Sequence, residues 1–388
     1  MFNFTALPPL SLYVHLPWCV RKCPYCDFNS HEAKDAVPER AYIDALIADL
    51  EQDLPLIWGR SIETVFLGGG TPSLFSPESI DRLFSQLRAL LVLPATAEIT
   101  MEANPGTLEA GKFAEFRAAG INRLSIGVQS FDDEMLKKLG RIHGAREAII
   151  AAERAHAAGF DELNLDLMFG LPGQSVAQAL ADLEQAIALQ PTHLSHYQLT
   201  LEPNTRYAHT PPANLPDHDA LWEIQQHCQT RIAAAGYGQY EVSAYAQAGH
   251  RCRHNLNYWL FGDYLGIGAG AHAKISSAQH QRIVRTAKLR HPREYLAKAA
   301  SAARIASEHT LSRREAGFDF MLNALRLNDG FPVALFGEHT GLALNVVEQP
   351  LQQAEAKGLI ERDLHHIRPT ELGQRFLNDL TALFLPED

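Results

Sequence analysis

The sequence predicts an α/β fold: a partial (β/α)6, TIM-like barrel followed by a small helix-rich, winged-helix-like C-terminal domain. Three observations predict it. Six short apolar, β-branched runs recur over the first 205 residues, separated by stretches of helical periodicity. Polar or glycine-rich residues fall directly after those runs, which puts them on one rim of a parallel barrel. Beyond about residue 205 the alternation stops, and from about residue 312 helices dominate.

The expected strands are 12–16, 64–67, 98–102, 123–128, 163–169 and 193–199. Their near-continuous hydrophobicity suits strands covered by helices on both sides. The expected helices between them are 39–54, 77–91, 108–119, 145–158 and 175–189. Several open on Ser, Thr or Asp and close at glycine, as at Gly120 and Gly159. A long helix over 217–235 follows, then an expected strand over 236–243 and a glycine-rich run from Gly262 to Gly270. In the tail, amphipathic helices at 318–325 and 346–357, a short β-pair at 359–362 and 366–368, and a last helix at 371–383 have winged-helix order. Three units are expected: the barrel over 1–205, an extension over 206–310 and the tail over 311–388.

Of the 388 residues, 46% are hydrophobic and 20% charged, which describes a globular protein with a sizeable core. The formal net charge of −11 disfavours nucleic acid as a partner, because phosphate contacts need a basic footprint. No basic, apolar leader opens the sequence, and no run of about 18 or more apolar residues occurs. A cytoplasmic location is expected, where thiols stay reduced.

The most informative motif is Cys19-Val20-Arg21-Lys22-Cys23-Pro24-Tyr25-Cys26, a C-x3-C-x2-C loop behind the first strand. Three thiolates on one loop can hold three irons of a [4Fe-4S] cubane, leaving the fourth iron open to a small ligand. S-adenosylmethionine (SAM) is the candidate, chelating that iron through its amino and carboxylate groups. A structural zinc site takes four ligands, usually as two separated pairs. No second pair is present, although His15 or His31 would complete a mixed site. A disulfide framework is disfavoured, since the other cysteines of the five, Cys228 and Cys252, lie far along the chain.

The remaining rim residues fit a nucleotide ligand. Gly68-Gly69-Gly70-Thr71-Pro72 ends the second strand, and glycine lets backbone approach a ligand closely. Glu102 and Asp166 interrupt apolar strands, where a carboxylate is costly unless paired or ligand-bound. A ribose diol or an ammonium group would satisfy them, and so would a salt bridge such as Asp166 with Arg141. Gln129 ends the fourth strand. Tyr13 and Tyr25 flank the cysteine loop, where Tyr25 covers an adenine or belongs to the core.

These residues resemble the radical SAM superfamily. The strings Asn122-Arg123-Leu124-Ser125-Ile126-Gly127-Val128-Gln129-Ser130-Phe131 and Asp166-Leu167-Met168-Phe169-Gly170-Leu171-Pro172-Gly173-Gln174 narrow the resemblance to the oxygen-independent coproporphyrinogen III oxidase family. It covers nearly the whole chain. It implies a [4Fe-4S] cluster on Cys19, Cys23 and Cys26, and SAM bound by Tyr13, Tyr25, Gly69, Gly70, Thr71, Glu102, Gln129, Arg141 and Asp166. The chain departs from the oxidase pattern, C-x3-C-x2-C-x-C, by carrying Phe28 at the last position. It also begins its first strand without the oxidase's longer N-terminal segment.

Both departures are shared by the heme-chaperone branch of that family, as is His254-Asn255-Leu256-Asn257-Tyr258-Trp259, an H-N-x-x-Y-W motif associated with heme. Neutral imidazole is an ordinary axial ligand, and Tyr258 and Trp259 offer flat apolar area. A buried aromatic pair with a hydrogen-bonded histidine is the competing reading, and Cys252 and His272 are further possible iron ligands. The resemblance therefore implies heme bound at His254, Tyr258 and Trp259. It implies delivery to an apo-hemoprotein, such as a respiratory enzyme at the inner membrane, with peripheral membrane contact and a homodimer as accompanying expectations. The rival function is oxidative decarboxylation of coproporphyrinogen III. A zinc-binding scaffold is a third reading.

Overall fold

The computed structural model describes residues 2–386. Six parallel strands form its centre: β1 (Leu10–Leu16), β2 (Ile62–Gly69), β3 (Glu98–Ala103), β4 (Arg123–Gln129), β5 (Glu162–Phe169) and β6 (His193–Gln198). The helices α1 (Glu39–Ile57), α2 (Pro77–Leu90), α3 (Ala145–Ala157) and α4 (Val176–Ala188) cover them. Leu12, Val14, Val65, Leu67, Leu124, Ile126, Leu163 and Leu165 are fully buried in the interface between sheet and helices. This is the partial (β/α)6 barrel that the alternation predicts.

Three expected elements differ. The stretch 108–119 divides into Thr107–Ala110 and Phe113–Ala119. Between them, the Lys112 ammonium donates to the carbonyls of Ser73, Leu74 and Phe75, which anchors the break. The strand expected at 236–243 shrinks to β7 (Gly238–Gln239), antiparallel to β8 (Ala244–Ala246). The Glu241 carboxylate accepts from both the amide and the hydroxyl of Ser243 at 3.1 Å, closing a turn where the strand would run. The last expected helix divides into Glu371–Arg375 and Leu377–Ala382.

The larger surprise is a meander. α5 (His218–Ala234) and α6 (Arg253–Trp259) lead into β9 (Asp263–Ile267), which pairs parallel to β1. Then β10 (His272–Ser277), β11 (Arg282–Lys288) and β12 (Ile305–Thr310) continue antiparallel. The full sheet has twelve strands in the order β12-β11-β10-β9-β1-β2-β3-β4-β5-β6-β8-β7. A buried charge cluster pins the meander to the barrel. Lys288 donates to Asp49 on α1 at 2.6 Å and to Asp53 at 2.5 Å, and Arg304 donates to Asp49 at 2.7 Å.

A second apolar core gathers Phe320, Phe331 and Phe336 with Phe261 and Phe4. The Phe320 ring meets Phe336 edge-on at 5.0 Å and Phe331 at 5.1 Å. Around it, a small three-stranded sheet (Phe331–Pro332, Ile360–Arg362, His366–Pro369) and short helices form the C-terminal part.

Candidate functional site

The cysteine loop is an excursion from β1. Trp18 and Cys19 pair in parallel with His31 and Glu32, which closes the loop at its base. The amide of Gly70 donates to the Leu16 carbonyl at 2.8 Å, and that of Thr71 to the Trp18 carbonyl at 2.7 Å. The glycine run thus carries the β1–β2 pairing up to the first cysteine. Glycine is required here: a Cβ on Gly69 (φ +114) would stand 2.5 Å from the His15 ring, and one on Gly70 would stand 2.5 Å from the Trp18 carbonyl.

Cys19, Cys23 and Cys26 carry free, half-buried thiols. They line one cavity of 540 Å³ together with Tyr25, Gly69, Gly70, Thr71, Glu102, Gln129, Arg141 and Asp166. The predicted nucleotide-site residues therefore share one space at the C-terminal ends of the strands. Tyr13 lies behind them on β1, in the wall of a neighbouring cavity.

Arg141 organises this space. Its guanidinium donates to the Gly127 carbonyl at 2.7 Å and to Asn104 Oδ1 at 2.8 Å, and reaches Cys23 Sγ at 3.7 Å. Asn104 in turn donates to Thr71 Oγ1 at 2.9 Å. A polar chain thus runs from the cysteine loop across β3 to the glycine run. The buried Nε of Arg141 has no hydrogen-bond partner among the described residues.

The two carboxylates are differently held. Glu102 accepts from the Gly69 amide at 3.1 Å, and burial beside Asp166 pushes its carboxyl up to about 8. Asp166 accepts from Asn164 at 2.7 Å and from Ser125 at 3.4 Å, and burial raises its carboxyl as well. Neither forms the salt bridge with Arg141 that the sequence left open. Gln129 adopts a left-handed backbone (φ +72) at a bulge between β4 and β5, and its amide oxygen accepts from the Tyr197 hydroxyl at 2.7 Å. Such strain is retained where the surroundings fix it, as at ligand sites.

Sequence reasoning missed Asn104, Ser125, Asn164, Ser195 and Tyr197, all of which line the cavity. Ser125, Asn164, Ser195 and Tyr197 are polar positions within the strands and Asn104 directly follows one, and this polarity is their one signal in the sequence.

The donor set fits a cubane with SAM. Among the described residues, no three His, Cys, Asp or Glu side chains converge as a single ion requires. The three thiols of one loop, lining the same cavity as the glycine run, could each bind one iron of a cluster.

The H-N-x-x-Y-W residues are dispersed by α6. His254 is 1% exposed, with Nδ1 2.7 Å from Thr64 Oγ1 and Nε2 3.3 Å from the Tyr258 hydroxyl. Burial lowers its pKa to about 3, so the ring is neutral and both nitrogens are engaged. Asn255 lines the first cavity and Tyr258 the neighbouring one. Trp259 faces the C-terminal part, with Arg326 4.3 Å above its ring. Cys252 is buried beside Glu98, and burial pushes its thiol up to about 12.

Comparison with known proteins agrees with this geometry. The radical SAM superfamily model matches residues 13–186, and the HemN C-terminal domain model matches residues 311–376. The "Heme chaperone HemW" of Escherichia coli is 51% identical over 381 residues, covering 98% of this chain and 99% of the relative. That of Haemophilus influenzae is 47% identical over 386 residues, with the same coverage. The solved coproporphyrinogen III oxidase HemN of Escherichia coli superposes with a TM-score of 0.83 over 97% of this chain and 90% of its own, at 24% identity, which shows a shared fold. Membership of the superfamily implies a [4Fe-4S] cluster and SAM. Full-length identity of this order decides the branch as well: the chain belongs to the heme chaperone HemW family of the radical SAM superfamily.

Proposed function

We propose that the protein binds heme and delivers it to an apo-hemoprotein, with a respiratory enzyme at the inner membrane as the acceptor. The observation that carries the reading is its full-length likeness to heme chaperones. No helix among the described residues is long and apolar enough to cross a membrane. A membrane-bound acceptor would therefore be met through peripheral contact, and a homodimer would present two such surfaces.

The bound cluster would supply an open iron and an electron source next to SAM. The chain's own residues do the rest. Cys19, Cys23 and Cys26 hold the cluster. Gly69, Gly70 and Thr71 present backbone to the methionine end of SAM, and Glu102 accepts from its amino group. Asp166 and Gln129 address the ribose, Tyr25 covers the base, and Arg141 fixes the cysteine loop against Asn104. The cluster and SAM, once held by these residues, would control heme transfer or dimerisation.

Anaerobically reconstituted protein tests the proposal against decarboxylation of coproporphyrinogen III. With SAM, reductant and coproporphyrinogen III present, mass spectrometry should show no protoporphyrinogen, while a parallel absorbance titration shows stoichiometric heme binding. Decarboxylated product would make the protein an oxidase instead.

A further inference from the structure

A second cavity, of 700 Å³, opens beside the first on the meander side of β1. Its volume is in the range of about 300–1,000 Å³ that holds cofactor-sized ligands. The two cavities share Phe28, Gly69 and Glu102 in their walls. Tyr13, Tyr258 and Tyr264 give the second one aromatic surface, with the rings of Tyr258 and Tyr264 4.7 Å apart. Phe28 is 59% exposed and adds a flat apolar face at the junction.

Two side chains in this wall have unspent donor or acceptor capacity. His272 opens β10, and Arg290 follows the end of β11. Neither side chain makes a hydrogen bond or ion pair among the described residues, unlike the saturated ring of His254. Partial burial and the charges of Arg290 and Arg285 lower the pKa of His272, which keeps its imidazole neutral. The wall is also tied to the cysteine loop: Asn29 donates to the carbonyls of Ala269 and Arg290, both at 2.9 Å.

Resting on the heme-carrier reading above, we infer that the second cavity is the heme site, with His272 as the axial ligand to iron and Arg290 as the partner of a propionate. Neutral imidazole is a normal iron ligand, and a guanidinium pairs with carboxylate in a fork. The aromatic wall covers the macrocycle. His254 then acts from behind, holding the Tyr258 hydroxyl and so the orientation of that wall.

The test is titration of the full-length protein with ferric heme, followed by absorbance. His272→Ala should weaken binding by more than about tenfold and shift the Soret band, and added imidazole should restore the band. His272→Gln, nearer in size, should behave alike, and circular dichroism verifies the fold of each variant. Arg290→Ala should weaken binding of heme but leave binding of heme dimethyl ester unchanged. A wild-type protein that binds heme, with His272 variants of unchanged affinity and spectrum, overturns this site and leaves the carrier reading standing. Failure of the wild type to bind heme overturns both.

Discussion

The Gly69 amide donates to Glu102 Oε2 at 3.1 Å, so the glycine run on β2 and the carboxylate on β3 are one unit. That single bond does not offset the burial of Glu102, whose carboxyl is pushed from 4.5 up to about 8. A raised acid pKa stabilises the fold below the unfolded value and is lost as pH rises through the folded one. Between about pH 6.5 and 8.5 the protein without SAM should therefore lose roughly 2 kcal/mol of stability from this group. The window lies above the unfolded pKa of the buried histidines, whose lowered values contribute below it. Glu102→Gln should flatten this slope in urea melts taken across the window; an unchanged slope would assign the proton elsewhere.

The same carboxylate predicts the pH dependence of SAM binding. The amino group that chelates iron keeps N–H donors, and ionised Glu102 accepts from them where the protonated acid does not, so affinity should rise as pH passes through about 8. Calorimetric titration of reconstituted protein checks this. Glu102→Gln should bind weakly and without that rise.

Each thiol of the cysteine loop lines the first cavity, and none is in a disulfide. Replacing Cys19, Cys23 or Cys26 with Ala should abolish the brown absorbance of reconstituted protein while leaving the thermal transition nearly unchanged, because the thiols are only half buried. A cluster retained in all three variants would remove the assignment of these residues.

The barrel strands were legible because alternate residues, such as Leu12, Val14, Leu124, Ile126, Leu163 and Leu165, are buried and apolar, and each strand stands between helical stretches. The meander was not, because its strands carry charge inside. Lys274 and Lys288 are each 1% exposed, and they balance Asp263, and Asp49 with Asp53, respectively. A buried lysine reads in sequence as a surface one, and its partners lie more than two hundred residues away in the case of Lys288. In the site, charged Glu102 and Asp166 stood out within apolar runs, whereas Asn104 and Tyr197 did not. Their role comes from partners elsewhere in the chain, Arg141 in a loop and Gln129 at the end of β4, which spacing along the chain does not reveal.

The buried charge cluster gives a stability prediction. Asp49 accepts from Lys288, Arg304 and Tyr295, so Asp49→Ala leaves two buried cations short of a partner. Breaking such a cluster from one side costs about 3–5 kcal/mol. The denaturant midpoint should fall accordingly, and the meander amides, at β11 first, should lose hydrogen-exchange protection before the barrel strands do. Uniform loss across the sheet would mean that the meander and barrel unfold as one unit.

Phe28 gives the sharpest test of what separates this chain from the oxidases it resembles. The ring stands in the walls of both cavities, at the position where the oxidase pattern carries its last cysteine. Phe28→Cys restores C-x3-C-x2-C-x-C. Three thiolates already leave one cluster iron for SAM, so an added thiol has no iron it needs to bind. Iron content per chain should therefore not change. Heme affinity should fall by about 2–10-fold, the worth of one aromatic contact of about 0.5–1.5 kcal/mol. Coproporphyrinogen III should remain unconverted, because one residue does not rebuild the walls that position a different tetrapyrrole. Appearance of protoporphyrinogen in this variant alone would place the whole difference between carrier and oxidase at residue 28.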